Sequence, residues 1–351
     1  MLKTVLSFLL FLSTVFASEH GMYLKAVQNI QNEFPASVSR IETALNARFN
    51  LLNSHALATP AILGDPCSFK AHLFLIEDTD FTKFLTAFGD KYLVAAFVKI
   101  GLYQDDQGTR LVMADPETIN RIVFNDLNDK EYHKVIEKSK QFKNMLVNFL
   151  HGLNLGQNVN QPMPPIRDDE ALREADKDMF MMVGPMTFFK DDDQFPVILQ
   201  IKSDQDIDRF VSTIKKNLET FTPSKDDATY EEVQNADYLK WRVIAEIKSP
   251  DSKAVLLGIT RPRTEALSFK IAGQNRANED NPCPGIDHLC AYPIEVLILK
   301  ENDEIIVRSA REMFRMDMYF WDAGKMAFMK YMNMPKMLDR SIKKALFKIE
   351  D

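Results

Sequence analysis

Eight of the chain's 17 methionines fall between Met313 and Met337. Met326, Met329 and Met332 follow M-x-x-M spacing, and Met334 with Met337 repeats it, which puts thioethers on adjacent turns of a helix face. Soft thioethers select Cu(I), and by the same softness suit Ag(I). Methionine is also adaptable core filler. Phe314, Phe320, Trp321 and Phe328 alternate with the cluster as they would in a packed core, and Pro335 is expected to break the helix within it. Two readings therefore stand: a soft-metal site at Met326, Met329, Met332, Met334 and Met337, or a hydrophobic core.

The cysteines offer a second chemistry. Cys283 and Cys290 bracket six residues, and in an oxidising compartment such a pair is expected to form a disulfide. A metal site of Cys283, His288 and Cys290 is the competing reading. Cys67 is left over and reads as buried filler. Lys70 and His72 alternate with Phe69, Ala71, Leu73 and Leu75, so they should point away from the apolar face of a strand. If helices cover only one side of the sheet, they could line a ligand face on the other. Arg261 and Arg263 flank Pro262 and could hold an anion through charge-assisted bonds, or simply face solvent. Walker glycine loops, G-x-S-x-G, H-E-x-x-H, EF-hand loops and C-x-x-C are absent, so no residue is assigned a catalytic role and no cofactor is implied.

The elements that must carry these residues come in two copies. Phe97 to Tyr103 leads through Asp105-Asp106-Gln107-Gly108 into Thr109 to Met113, and a shift of 195 gives Tyr292 to Ile298, Glu301-Asn302-Asp303 and Glu304 to Arg308. Both read as β-hairpins. Ser68-Phe69-Lys70-Ala71 similarly matches Ser268-Phe269-Lys270-Ile271. Upstream in each copy an extended segment precedes an amphipathic helix. One opens near Pro35, with Val38, Ile41, Leu45, Phe49 and Leu52 on one stripe. The other has Ser203 as expected N-cap, then Ile207, Phe210, Val211, Ile214, Leu218 and Phe221. A closing helix carries Phe142, Leu146, Phe149 and Leu150 in one copy, and Leu338, Ile342, Ala345 and Leu346 in the other. The expected fold class is α+β: two tandem β-α-β4-α domains, mostly antiparallel sheets each with helices packed on one face.

Asn281-Pro282-Cys283 through Tyr292-Pro293-Ile294-Glu295-Val296-Leu297-Ile298 to Asp303 resembles the domain-of-unknown-function 302 family. The resemblance implies a fold similar to the TATA-binding-protein class and implies no activity.

The first residues read as a secretory signal peptide at 1–17: Lys3, an apolar run from Val5 to Phe16, and Ala17 before cleavage. That run is shorter than the ~20 residues needed to span a bilayer. The boundaries that follow are 18–151 for the first repeat, 152–195 for a linker with a short helix, and 196–351 for the second repeat. The loop character of the linker rests on Gly156 to Pro165. Net charge is −7 for the chain, which argues against a nucleic-acid partner. The expected function is an exported, periplasmic or secreted, binding or accessory protein, its partner a small ligand or an envelope protein. Soft-metal binding and an enzyme of unidentified chemistry are the alternatives.

Overall fold

Two tight hairpins organise the chain. Val98–Asp105 (β4) pairs with Gly108–Ala114 (β5), closing at Asp105 opposite Gly108. Ile294–Glu301 (β10) pairs with Glu304–Ser309 (β11), closing at Glu301 opposite Glu304. Each turn needs a left-handed residue, supplied by Gly108 at φ 113° and Asn302 at φ 53°. These closing pairs superpose the copies with a shift of 196. The shift of 195 expected from apolar runs is one residue short, because β4 and β10 are buried on both faces and their near-continuous apolar runs carry too little alternation to fix the register.

The structure is a computed structural model that describes residues 19–65, 67, 69–175, 194–223, 235–271, 285–323 and 334–348. The first sheet adds His20–Ile30 (β1), Asn50–Ala56 (β2), Lys70–Glu77 (β3) and Gln157–Arg167 (β6). Its order is β2-β3-β4-β5-β1-β6. The second adds Val197–Lys202 (β7), Arg242–Lys248 (β8) and Ala254–Thr260 (β9), in the order β7-β11-β10-β9-β8. Read from the other edge, the second repeats the first without its sixth strand. All pairings are antiparallel. The expected loop at Gly156 to Pro165 is instead mostly β6. Its prolines lie on the sheet's edge, where a missing donor is tolerated.

Helices Phe34–Arg48 (α1), Thr79–Thr86 (α2), Pro116–Val123 (α3) and Asp129–Gly152 (α4) serve the first sheet, and Asp169–Arg173 (α5) follows β6. Ile207–Thr220 (α6), Pro262–Ser268 (α7), Glu312–Phe320 (α8) and Met334–Phe347 (α9) serve the second. The stripe of α6 is buried as its spacing requires, but Asp206 rather than Ser203 accepts the capping amide, from Asp208 N. Helix α9 begins at Met334, with Pro335 in its first described turn, a position where a missing donor is tolerated. Within the described residues no helix is long and apolar enough to cross a membrane.

The sheet faces turned away from the helices are turned towards each other. The 3-10 turn Ile286–Ala291 lies on β3, β4 and β5, and its counterpart Asp90–Ala95 lies on β9 and β10. The approach is close enough to demand glycine. A Cβ on Gly101 would overlap the Leu289 side chain and sit 2.9 Å from Cys290 Sγ; one on Gly258 would sit 3.2 Å from Phe97 across the seam, besides 2.5 Å from Pro293 of its own half. Phe69 and Phe269, matched as equivalents in sequence, belong to different elements and touch instead, with ring centroids 4.9 Å apart. A single buried apolar cluster includes residues of both halves.

Charge is buried in this seam. Lys99 Nζ lies 2.6 Å from Glu295 Oε1, both residues almost solvent-free, and donates to Tyr319 Oη at 2.8 Å. Arg315 holds the other oxygen of Glu295. Lys99 and Glu295 are 196 apart, so each occupies the position equivalent to the other. They meet where the two copies' equivalent strands face one another. Burial pushes the Lys99 pKa down, but Glu295 outweighs it and holds the ammonium above its usual value.

Asp339 on α9 carries an opposite strain. Burial pushes its carboxyl up to about 6, against Lys343 and Arg311. The folded state therefore binds this proton more tightly than the unfolded chain does. Stability from this group is full below about pH 4 and falls as pH rises through about 6. Asp339→Asn is expected to raise stability at pH 7 by on the order of 2 kcal/mol, with little effect at pH 4, measured by urea unfolding at both values.

Candidate functional site

A cleft is built where β6 delivers α5 to the α3–α4 pair. Asp115 caps α3 by accepting from Glu117 N at 2.8 Å, and Asn128 caps α4 by accepting from Glu131 N at 3.1 Å. The helices are tied by Asn120 Nδ2 donating to Ser139 Oγ at 2.8 Å. Asp168 caps α5 through Ala171 N at 2.8 Å.

A layer of paired charges locks these elements. Glu117 accepts from Arg121 Nη2 at 2.9 Å and also from Lys143, while Lys143 reaches Asp115 at 3.2 Å. Arg121 Nη1 is 2.8 Å from Asp169, and His20 Nε2 is 2.6 Å from the same oxygen. Burial pushes both carboxyls up. It prevails for Asp115, but at Glu117 the bonds from Lys143 and Arg121 win and the pKa falls. Lys143 is desolvated too, yet Asp115 and Glu117 hold it above its usual value. The layer is a mutually neutralised network, and it fixes the cleft's back wall.

In front of it lies a cleft of about 540 Å³, lined by Arg121 of α3, Tyr132, His133, Ile136 and Glu137 of α4, Asp169, Glu170 and Arg173 of α5, and Glu174. Tyr132 is buried and donates to Arg121 O at 3.3 Å; burial raises its pKa. The Arg173 guanidinium lies 4.5 Å over the Tyr132 ring and 2.6 Å from Asp129. Among the described residues no serine, threonine or cysteine lines the cleft; those that do offer charge and an aromatic face. Among the described residues no group of three His, Cys, Asp or Glu could hold a metal ion.

The residues singled out in sequence lie elsewhere. Lys70 and His72 do not face an open sheet surface. They lie on the α1 side, Lys70 over the Phe34 ring and His72 bonded through Nε2 to Ser54 Oγ at 2.7 Å. The opposite face is closed by the other half, so no bare sheet face exists there for a ligand. Burial, and then His55 beside it, pushes the His72 pKa down to about 4. Arg261 and Arg263 are wholly buried rather than solvated. Arg261 stacks 4.7 Å over Trp241 and donates to Thr264 Oγ1 and Ser341 Oγ, which is packing rather than an open anion seat.

Cys290 is a buried free thiol, so the expected bridge to Cys283 is overturned; Cys283 itself lies outside the described residues. The cause is position: Cys290 Sγ is pressed against Gly101 in the seam, and burial pushes its pKa well up. Cys67, read as filler, is disulfide-bonded. His288 is buried and bonds through Nδ1 to Ser268 O at 2.9 Å, in aromatic contact with Phe320. Peptide mapping without reductant is expected to recover Cys67 in a cross-linked peptide. Cys290 should be alkylated only after unfolding, and rapid native alkylation would contradict its burial. Met326, Met329 and Met332 lie outside the described residues. Met334 is buried beside Met316, Phe320 and Leu338 around a hollow of only about 20 Å³, room for one water, and Met337 is half-buried.

His133 reads from sequence as a surface histidine, and no local motif marks the other cleft residues. Arg121 to Glu174 spans 54 positions, and nothing in its local spacing says that α5 returns to α4.

The chain is similar to the crystal structure of an uncharacterized conserved protein DUF302 from Bacillus stearothermophilus, at 13% identity, with 36% of this chain and 97% of that chain covered and a TM-score of 0.29. No family model and no curated protein matches it.

Proposed function

We propose that this is a binding protein whose ligand seat is the cleft between α4 and α5. The observation that carries the reading is the cleft itself. At about 540 Å³ it falls within the range of small-molecule sites, and it joins an aromatic floor to several polar groups. The ion network behind it supports the same reading, because cross-linked helices hold a seat in shape before a ligand arrives. Export of the protein, with a mature chain beginning at Ser18, is part of the proposal and rests on the sequence of residues 1–17. So does kinship with the domain-of-unknown-function 302 family, which rests on Asn281 to Asp303 and the internal repeat.

The test is a small-molecule screen of the full chain by NMR, following residues 121–137 and 169–174. Binding that shifts this set and is lost when Ile136→Arg fills the cleft would support the reading. Ligands that bind but shift only residues outside this set would reject it.

A further inference from the structure

We propose that the ligand of this cleft is a guanidinium or alkylammonium cation, and that Arg173 is an intramolecular stand-in for it. The inference rests on the binding role proposed above and goes on to name the ligand's chemistry. Its central observation is that a cation already occupies the seat. The Arg173 guanidinium lies 4.5 Å over the buried Tyr132 ring, the position in which an aromatic face attracts positive charge.

The surrounding charge favours the same sign. Glu137, Asp169, Glu170 and Glu174 line the cleft against Arg121 and Arg173, a formal balance of −2 with His133 neutral. Arg121 is committed to Glu117 and Asp169 in the buried layer, so it does not offer its charge to an anion.

Arg173 is held loosely by comparison. Its side chain is one-third exposed and its partner Asp129 is 80% exposed, which makes their ion pair weak. An incoming cation can therefore take over both the Tyr132 face and Asp129 while Arg173 swings into water. Arg173 then acts as an internal competitor. It reduces apparent affinity by the fraction of molecules in which it fills the seat.

This makes a prediction of unusual sign: removing a polar cleft residue should tighten binding. Agmatine, which carries a guanidinium and an ammonium, is titrated into the full chain by NMR at constant ionic strength. Inorganic phosphate and acetate are titrated as anionic probes. Agmatine is expected to shift the Tyr132 ring signals, and Arg173→Ala to tighten its binding by roughly three- to tenfold. Glu170→Gln, an exposed change with no packing cost, should weaken it. Agmatine binding that weakens or stays unchanged in Arg173→Ala overturns the proposal. Phosphate binding lost in that variant also overturns it, while leaving the binding role standing. Failure of all three probes in a chain whose cleft binds some other, uncharged molecule likewise overturns the cation but not the role. A cleft that binds nothing removes both.

Discussion

Replacing Glu295 by alanine is expected to cost about 3–5 kcal/mol, the range for stripping one partner from a buried ion pair. Glu295 faces both Lys99 and Arg315, and all three are almost solvent-free. Its removal takes from both buried cations the carboxylate they share. Lys99→Met should cost less, because the Glu295–Arg315 pair survives it and a chain of similar volume fills the space. The expected order in urea unfolding is therefore Glu295→Ala well below Lys99→Met, itself below the parent. Equal losses, or a loss under about 1 kcal/mol for Glu295→Ala, would mean that water reaches the pair.

The second large effect concerns the halves. In sequence each repeat carries its own helix stripes and should fold alone. The structure changes that expectation, because the face of each sheet that helices leave bare is covered by the other half. Expressed separately as residues 18–193 and 194–351, and kept reduced, neither half is expected to melt cooperatively. Each would expose the strip around Leu73 and Leu75, or around Leu289 and Cys290, and would keep Lys99 or Glu295 without its cross-seam partner. Mixed together, the halves should form a one-to-one complex that regains a single transition by calorimetry. A cooperative, monomeric melt of either half alone would show that the seam is dispensable.

What the sequence determined by itself is what depends on neighbours along the chain. The stripes of α1 and α6 follow from 3.6-residue spacing. The two hairpins follow from apolar runs joined by short polar turns with Gly108 and Asn302 able to take a left-handed backbone. Together these are enough for the α+β class, since a helix or hairpin reports its own periodicity. What only the tertiary structure decided depends on which distant surfaces meet. Strand β6 reads as a loop because its prolines are compatible with a strand only when that strand is an edge, and β1 makes it one. Lys70 and His72 were assigned the right alternation but the wrong environment, because a period of two separates faces without saying what covers either. Arg261 and Arg263 look like surface charges until Trp241, Thr264 and Ser341 are placed around them. Cys290 pairs with nothing because the seam against Gly101 encloses it. The cleft is the extreme case. Its acid groups, its aromatic floor and the arginine that fills it come from α4 and α5, and only the return of β6 and α5 to the α4 face brings them within reach of one ligand.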